Sequence, residues 1–172
     1  MSGGEIDYWT PQDFFDGLEY RYGEFTLDVA ASQENTKCLQ FFDVESNGLA
    51  RDWIGNVWCN PPYNKIGPWV AKAIEETKSG RIDHVVMLLP DGISTKWFLM
   101  AWENAARMEI VHGRLNFKGP NALDGGKASA PMGSIVFVFS AGRRLSQPEV
   151  RMIDRQGKIM TGRQTTLDGW VS

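Results

Sequence analysis

Two stretches of this 172-residue chain leave an extended backbone no polar face: Val85-Val86-Met87-Leu88-Leu89, closed by Pro90, and the Ile135 to Phe139 centre of SIVFVFS. A strand with one wet side alternates apolar and polar residues. A strand apolar on both sides has to be covered on both sides, as in the parallel sheets of α/β domains. Helix signals between the strand runs supply the cover. Thr10-Pro11-Gln12-Asp13 before Phe14, Phe15, Leu18 and Tyr22 predicts a helix with Thr10 as N-cap, Pro11 at its first position and Gly23 as its stop. Trp69 to Lys78 and Thr95 to Arg107 predict two more.

Further strands are expected at Phe25 to Ala31, Cys38 to Phe42, Ile54 to Cys59 and Met108 to Phe117, with a turn at Asn47-Gly48. The alternation gives an α/β fold: a mostly parallel sheet with antiparallel edge strands and helices on both faces. Residues 1–142 are expected to form one domain, with 143–172 as a basic extension packed on it and carrying a hairpin from Val150 to Thr161 around Arg155-Gln156-Gly157. The long loop Gly119 to Gly133 is a candidate functional segment, because a loop of that length in a small domain is seldom a plain connector.

Composition narrows the function. Two cysteines, Cys38 and Cys59, cannot make a disulfide framework or a four-thiolate site, and His84 and His112 lack a second ligand at helical spacing, so no metal is expected. No apolar run is long enough to span a membrane, and the first residues lack a signal-peptide layout, so a soluble cytoplasmic protein is expected. The formal charge of −3 argues against indiscriminate binding to polyanions. It is unevenly spread: from Arg143 onward six bases face three acids, while the rest of the chain carries 12 bases and 18 acids. A local phosphate-facing surface is compatible with that distribution.

The strand ending at Cys59 runs into Asn60-Pro61-Pro62-Tyr63. Ligands of open α/β sheets sit beyond the carboxyl ends of the strands, so this corner reaches the binding edge. Each proline fixes its own φ, restricts the residue before it and brings no N–H, which holds the carbonyls of Asn60 and Pro61 as stiff acceptors. Such acceptors suit a planar amine. Hydrogen bonds from both of its N–H groups to the Asn60 side-chain oxygen and the Pro61 carbonyl favour a pyramidal nitrogen whose lone pair can attack, while Tyr63 stacks on the ring. A strand-ending proline turn beside a buried tyrosine is the plain structural alternative. Cytosine C5 chemistry would need a cysteine nucleophile, and Cys59 is expected to be buried.

Asn60-Pro61-Pro62-Tyr63 resembles the catalytic motif of S-adenosylmethionine-dependent amino-methyltransferases. Taken in order, DYWTPQDFFDGL, GEFTLDVAAS, NTKC, DWIGNVWCNPPYNKIGPWVAKA and GRLNF resemble the bacteriophage Dam-like DNA adenine-N6 methyltransferases over about Asp7 to Phe139. The resemblance implies a Rossmann-like methyltransferase fold and methyl transfer from S-adenosylmethionine to a flipped-out adenine in double-stranded DNA. The product would be S-adenosylhomocysteine, in a bacterial host's cytoplasm if the chain is phage-encoded. It implies cofactor contacts from Trp9, Thr10, Pro11, Asp28, Ala30, Asp43 and Asp52, although DVAAS departs from the glycine-rich turn of the wider class.

DNA contacts are expected from Lys65, Lys96, Arg114, Lys118, Lys127, Arg143 and Arg144, on a monomer or weak dimer. The alternatives are methylation of cytosine N4 or of a protein glutamine amide, and a non-catalytic nucleic-acid-binding module.

Overall fold

The computed structural model describes residues 8–119, 128–129, 132–142 and 147–161. Helices α1 (Gln12–Tyr22), α2 (Ile66–Lys78) and α3 (Lys96–Asn104) accompany strands β1 (Leu27–Asp28), β2 (Gln40–Phe41), β3 (Gly55–Cys59), β4 (Ile82–Pro90), β5 (Arg107–Val111), β6 (Asn116–Phe117), β7 (Ala128–Ser129), β8 (Ser134–Ser140) and β9 (Glu149–Ile153). Among the described residues, seven strands form one sheet in the order β2-β1-β3-β4-β8-β5-β9, and β6 pairs with β7 separately.

The expected α/β architecture stands, with one relocation. Strand β8 is antiparallel to both β4 and β5, and every other pairing in the large sheet is parallel. The antiparallel strand therefore lies inside the sheet, and the edges are β2 and β9. Its apolarity on both faces already demanded an interior position.

The two faces divide the apolar runs residue by residue. Val57, Cys59, Val85, Met87, Leu89, Ile135, Phe137 and Phe139 pack with Trp69, Val70 and Ala73 of α2 and with Phe98 and Ala101 of α3. Trp58, Val86, Leu88, Val136 and Val138 pack on the other face with Phe14, Phe15 and Leu18 of α1. Strand period two thus places neighbours in opposite cores, one on each side of a single sheet.

Several boundaries differ from the sequence expectation. Pro11, not Thr10, occupies the N-cap of α1, and the Thr10 side chain turns elsewhere. Helix α2 starts three residues before Trp69, with Pro68 in the first turn, where a missing N–H costs no internal hydrogen bond. Helix α3 ends at Asn104, short of Arg107, which belongs to β5. The run from Met108 to Phe117 is two strands, because the chain turns away after Val111 through Gly113 at φ 83°. The hairpin expected in the tail is short: Ile153 bridges Ile159, and β9 itself pairs in parallel with β5.

Buried polar groups fasten the layers. Asn56 Nδ2 donates to the carbonyls of Tyr22, Gly23 and Glu24, tying the start of β3 to the end of α1. Glu109, fully buried on β5, accepts a two-pronged bond from Arg21 and a third from the Tyr22 hydroxyl at 2.7 Å. Among the described residues no helix is long and apolar enough to cross a membrane.

Candidate active site

Strands β1 to β4 run the same way, so Asp28, Phe42, Asn60 and Asp91 all follow or end strands at one edge of the sheet. The chain passes from β1 to β2 on one side and then to β3 on the other. This reversal opens a crevice between the ends of β1 and β3, where α/β sheets take their ligands. A cavity of about 420 Å³ lies there. It is lined from the segment after β1 by Val29, Ala30 and Ala31, from the segment after β2 by Phe42 and Asp43, and from the corner after β3 by Asn60, Pro61, Pro62 and Tyr63. Gly48 forms part of the wall at a point with no room for a side chain, since a Cβ there would sit 2.1 Å from the Val29 carbonyl oxygen.

Asn60 is held at its nitrogen and open at its oxygen. Nδ2 donates to the Tyr8 carbonyl at 2.7 Å and to Thr10 Oγ1 at 3.1 Å, while the buried Oδ1 has no protein partner. A buried acceptor without a partner is costly in a structural asparagine and useful in one that meets a ligand. The Tyr63 hydroxyl is likewise buried and unpartnered, and burial raises its pKa well above the usual phenol range. Its ring lies 5.3 Å from that of Tyr8, tilted by 33°.

Behind the corner a smaller recess is lined by Tyr8, Trp9, Thr10, Asp28, Ala30, Asn35, Lys37, Trp58 and Asn60. Asp28 is 3% exposed, and burial pushes its carboxyl up to about 6 despite backbone N–H bonds from Lys37 and Ala30. At the other side of the cavity, Asp43 Oδ1 accepts from Ser46 Oγ and Ser46 N at 2.7 and 2.8 Å, and these bonds hold it below the ordinary carboxylate range.

Most residues singled out in the sequence come together here. Asn60, Pro61, Pro62, Tyr63, Ala30, Asp43 and Lys65 line the cavity, and Trp9, Thr10 and Asp28 line the recess. Pro11 lines neither and starts α1. Asp52 is also outside both: it precedes β3, at the end of that strand away from the corner, and its carboxylate meets Arg81 Nη2 at 3.1 Å. Its nearness in sequence to Asn60 misled, because a five-residue strand separates the two edges of the sheet.

Exposed Lys65, Lys96 and Arg114 follow β3, β4 and β5, on the cavity's edge of the sheet, and exposed Lys118, after β6, bridges Trp9 of the recess. Lys127, Arg143 and Arg144, and most of the loop Gly119 to Gly133, lie outside the described residues. Sequence reasoning gave no role to Tyr8, Asn35 and Lys37, although DYWTPQDFFDGL holds the first and NTKC the other two.

Cys59 is fully buried, with burial raising its thiol far above the ordinary value, and burial pushes Cys38 up to about 12. Neither is a nucleophile at neutral pH.

A mostly parallel sheet with one antiparallel strand inside it, and an Asn-Pro-Pro-Tyr corner at its reversal point, is a Rossmann-like fold of the methyltransferase class. A solved structure from Pyrococcus horikoshii, described provisionally as an RNA methyltransferase, shares the fold at TM-score 0.50 and 13% identity, over 80% of this chain and 87% of that one.

The chain belongs to the DNA N-6-adenine-methyltransferase (Dam) family, whose family model matches residues 3–164. It is 37% identical over 166 residues to the DNA N-6-adenine-methyltransferase of Escherichia phage T1, across 84% of this chain and 66% of that protein. It is 40% identical over 109 residues to the protein of that name from Haemophilus phage HP1, across 62% and 61%. The matched parts thus come to just under two thirds of those relatives' lengths.

Proposed function

We propose that this protein transfers a methyl group from S-adenosylmethionine to the N6 amine of an adenine flipped out of double-stranded DNA. The observation that carries the reading is the Asn60 side chain: it lines the cavity, its nitrogen is fully engaged, and its oxygen is buried without a partner. Family membership directs that acceptor to adenine.

The residues present fit the cofactor. The cavity of about 420 Å³ is of the size that holds small molecules, commonly about 300–1,000 Å³. Ala30 and Ala31 keep its β1 wall low, Asp43 stands where it can accept from ribose hydroxyls, and Asp28, with Trp9 and Thr10 in the adjoining recess, offers a buried carboxylate for a cationic amino group. When bound, S-adenosylmethionine supplies an activated methyl on a sulfonium, whose sulfur leaves as a neutral thioether.

The chain's residues prepare the amine. Asn60 Oδ1 and the Pro61 carbonyl accept from the two N6–H bonds, drawing the nitrogen lone pair out of conjugation with the ring, and Tyr63 holds the base by stacking. The amine so prepared would take the methyl, and the surplus N6 proton would then leave to water. No general base has to act first. Because N6 is out of reach inside a duplex, the base is extruded, with Lys65, Lys96, Arg114 and Lys118 meeting phosphates around the cavity mouth.

Incubation with labelled cofactor and either duplex DNA or a glutamine-containing peptide tests the reading, followed by nucleoside analysis. N6-methyladenine is the expected product; label confined to cytosine or to the peptide overturns it.

A further inference from the structure

Asn60 presents its oxygen because something else holds its nitrogen. Both N–H bonds of Nδ2 are taken by the segment before α1, one by the Tyr8 carbonyl at 2.7 Å and one by Thr10 Oγ1 at 3.1 Å. Turning the amide over would set Oδ1 against the Tyr8 carbonyl, acceptor against acceptor. One orientation remains, with Oδ1 left without a protein partner on a residue that lines the cavity.

The segment is itself clamped. Trp9 N donates to the Lys118 carbonyl at 2.8 Å, and Lys118 N donates back to the Trp9 carbonyl at 3.0 Å. The Tyr8 ring packs against Tyr63 and Phe117, each with centroids 5.3 Å away. Thr10 is 4% exposed and is not spent on capping α1, which begins with Pro11 as its N-cap.

We infer that Tyr8 and Thr10 are the positioning residues of the methyl-transfer site: they fix the Asn60 amide so that its oxygen meets the substrate amine, and they commit position 60 to an amide in place of a carboxylate. The inference rests on the adenine-methylation reading for its substrate, while the amide lock is observable without any substrate. A carboxylate at position 60 has no hydrogen for the Tyr8 carbonyl unless it is protonated, whereas Thr10 can turn its hydroxyl to donate. The lock therefore selects against aspartate through a backbone atom that substitution cannot remove.

The test joins a structural and a kinetic measurement. In ¹⁵N-labelled protein, the side-chain NH2 signals of Asn60, identified by their loss in Asn60→Asp, should exchange slowly with solvent. Thr10→Val should speed that exchange about tenfold and Thr10→Ser should not, since serine keeps the hydroxyl. In single-turnover methyl transfer to duplex DNA at saturating cofactor, Thr10→Val should slow the chemical step about tenfold, and Thr10→Ser should restore it. Asn60→Asp should transfer faster as pH falls from 8 to 6, unlike the wild type. Fast exchange of the wild-type Asn60 amide, full-rate transfer by Thr10→Val, or a wild-type pH profile for Asn60→Asp would each overturn the inference. If the wild type methylates no DNA, the proposed substrate fails, and the exchange measurement still decides the lock.

Discussion

The backbone N–H of Lys37 donates to Asp28 Oδ2 at 3.1 Å, so the loop after β1 folds back over that strand's own terminal carboxylate. The bond does not offset the burial, which raises the carboxyl from 3.8 to about 6. Because the folded-state value is the higher one, the native protein holds the proton more tightly. The stability tied to Asp28 is complete below about pH 4 and is lost as pH rises through about 6, a cost on the order of 3 kcal/mol. Asp28→Asn should remove that slope. In urea unfolding between pH 4.5 and 8 the ligand-free variant is expected to match or exceed wild type at neutral pH, while its affinity for S-adenosylmethionine falls at least about tenfold. A variant with the wild-type pH slope would place the titration elsewhere.

Asn60→Ala is expected to abolish methyl transfer while cofactor binding, measured by calorimetry, stays within a few-fold of wild type. The alanine removes the acceptor that meets the amine and leaves the walls from Val29 to Ala31 and at Asp43 intact. Turnover at the normal rate would show that the amide has no part in the chemistry.

Glu109→Ala should act on stability alone. It strands the Arg21 guanidinium, 13% exposed, beside a buried cavity and deprives the Tyr22 hydroxyl of its acceptor. Loss of one partner from a buried ion pair typically costs about 3–5 kcal/mol. Denaturant unfolding should show a loss of that order, and the folded fraction should bind cofactor normally, since neither residue lines the cavity or the recess.

Gly17→Ala should loosen the tail. A Cβ on Gly17 would lie 1.8 Å from the Gln156 carbonyl oxygen, so the turn after β9 rests directly on the backbone of α1. Backbone against backbone cannot yield as a flexible side chain can. Hydrogen exchange should accelerate across 149–161 more than in β3 or β4, and uniform acceleration would mean that the helix itself had been undermined.

Much of the layout was legible because it is local. Continuous apolar runs announced β4 and β8, and the corner from Asn60 to Tyr63 carried its own stiffness. Gly23, at φ 85°, ended α1 where only a glycine sits without strain. The misreadings share one cause. Thr10 has the composition of an N-cap, but its hydroxyl is used by an amide 50 residues away. Asp52 lies eight residues before Asn60 and at the opposite edge of the sheet. The antiparallel run of β8 between β4 and β5 was equally hidden, since strand direction and order depend on long-range pairing that a local pattern does not encode.

The sequence by itself determined that the chain builds a doubly covered sheet and ends one strand in a rigid pair of acceptors, because periodicity and proline geometry act within a few residues. Only the tertiary structure decided which way those acceptors face. The direction of the Asn60 amide is set by Tyr8 and Thr10, brought beside it by the clamp between Trp9 and Lys118. A hydrogen bond has direction, and its partner's position is known only once the distant parts of the chain have packed.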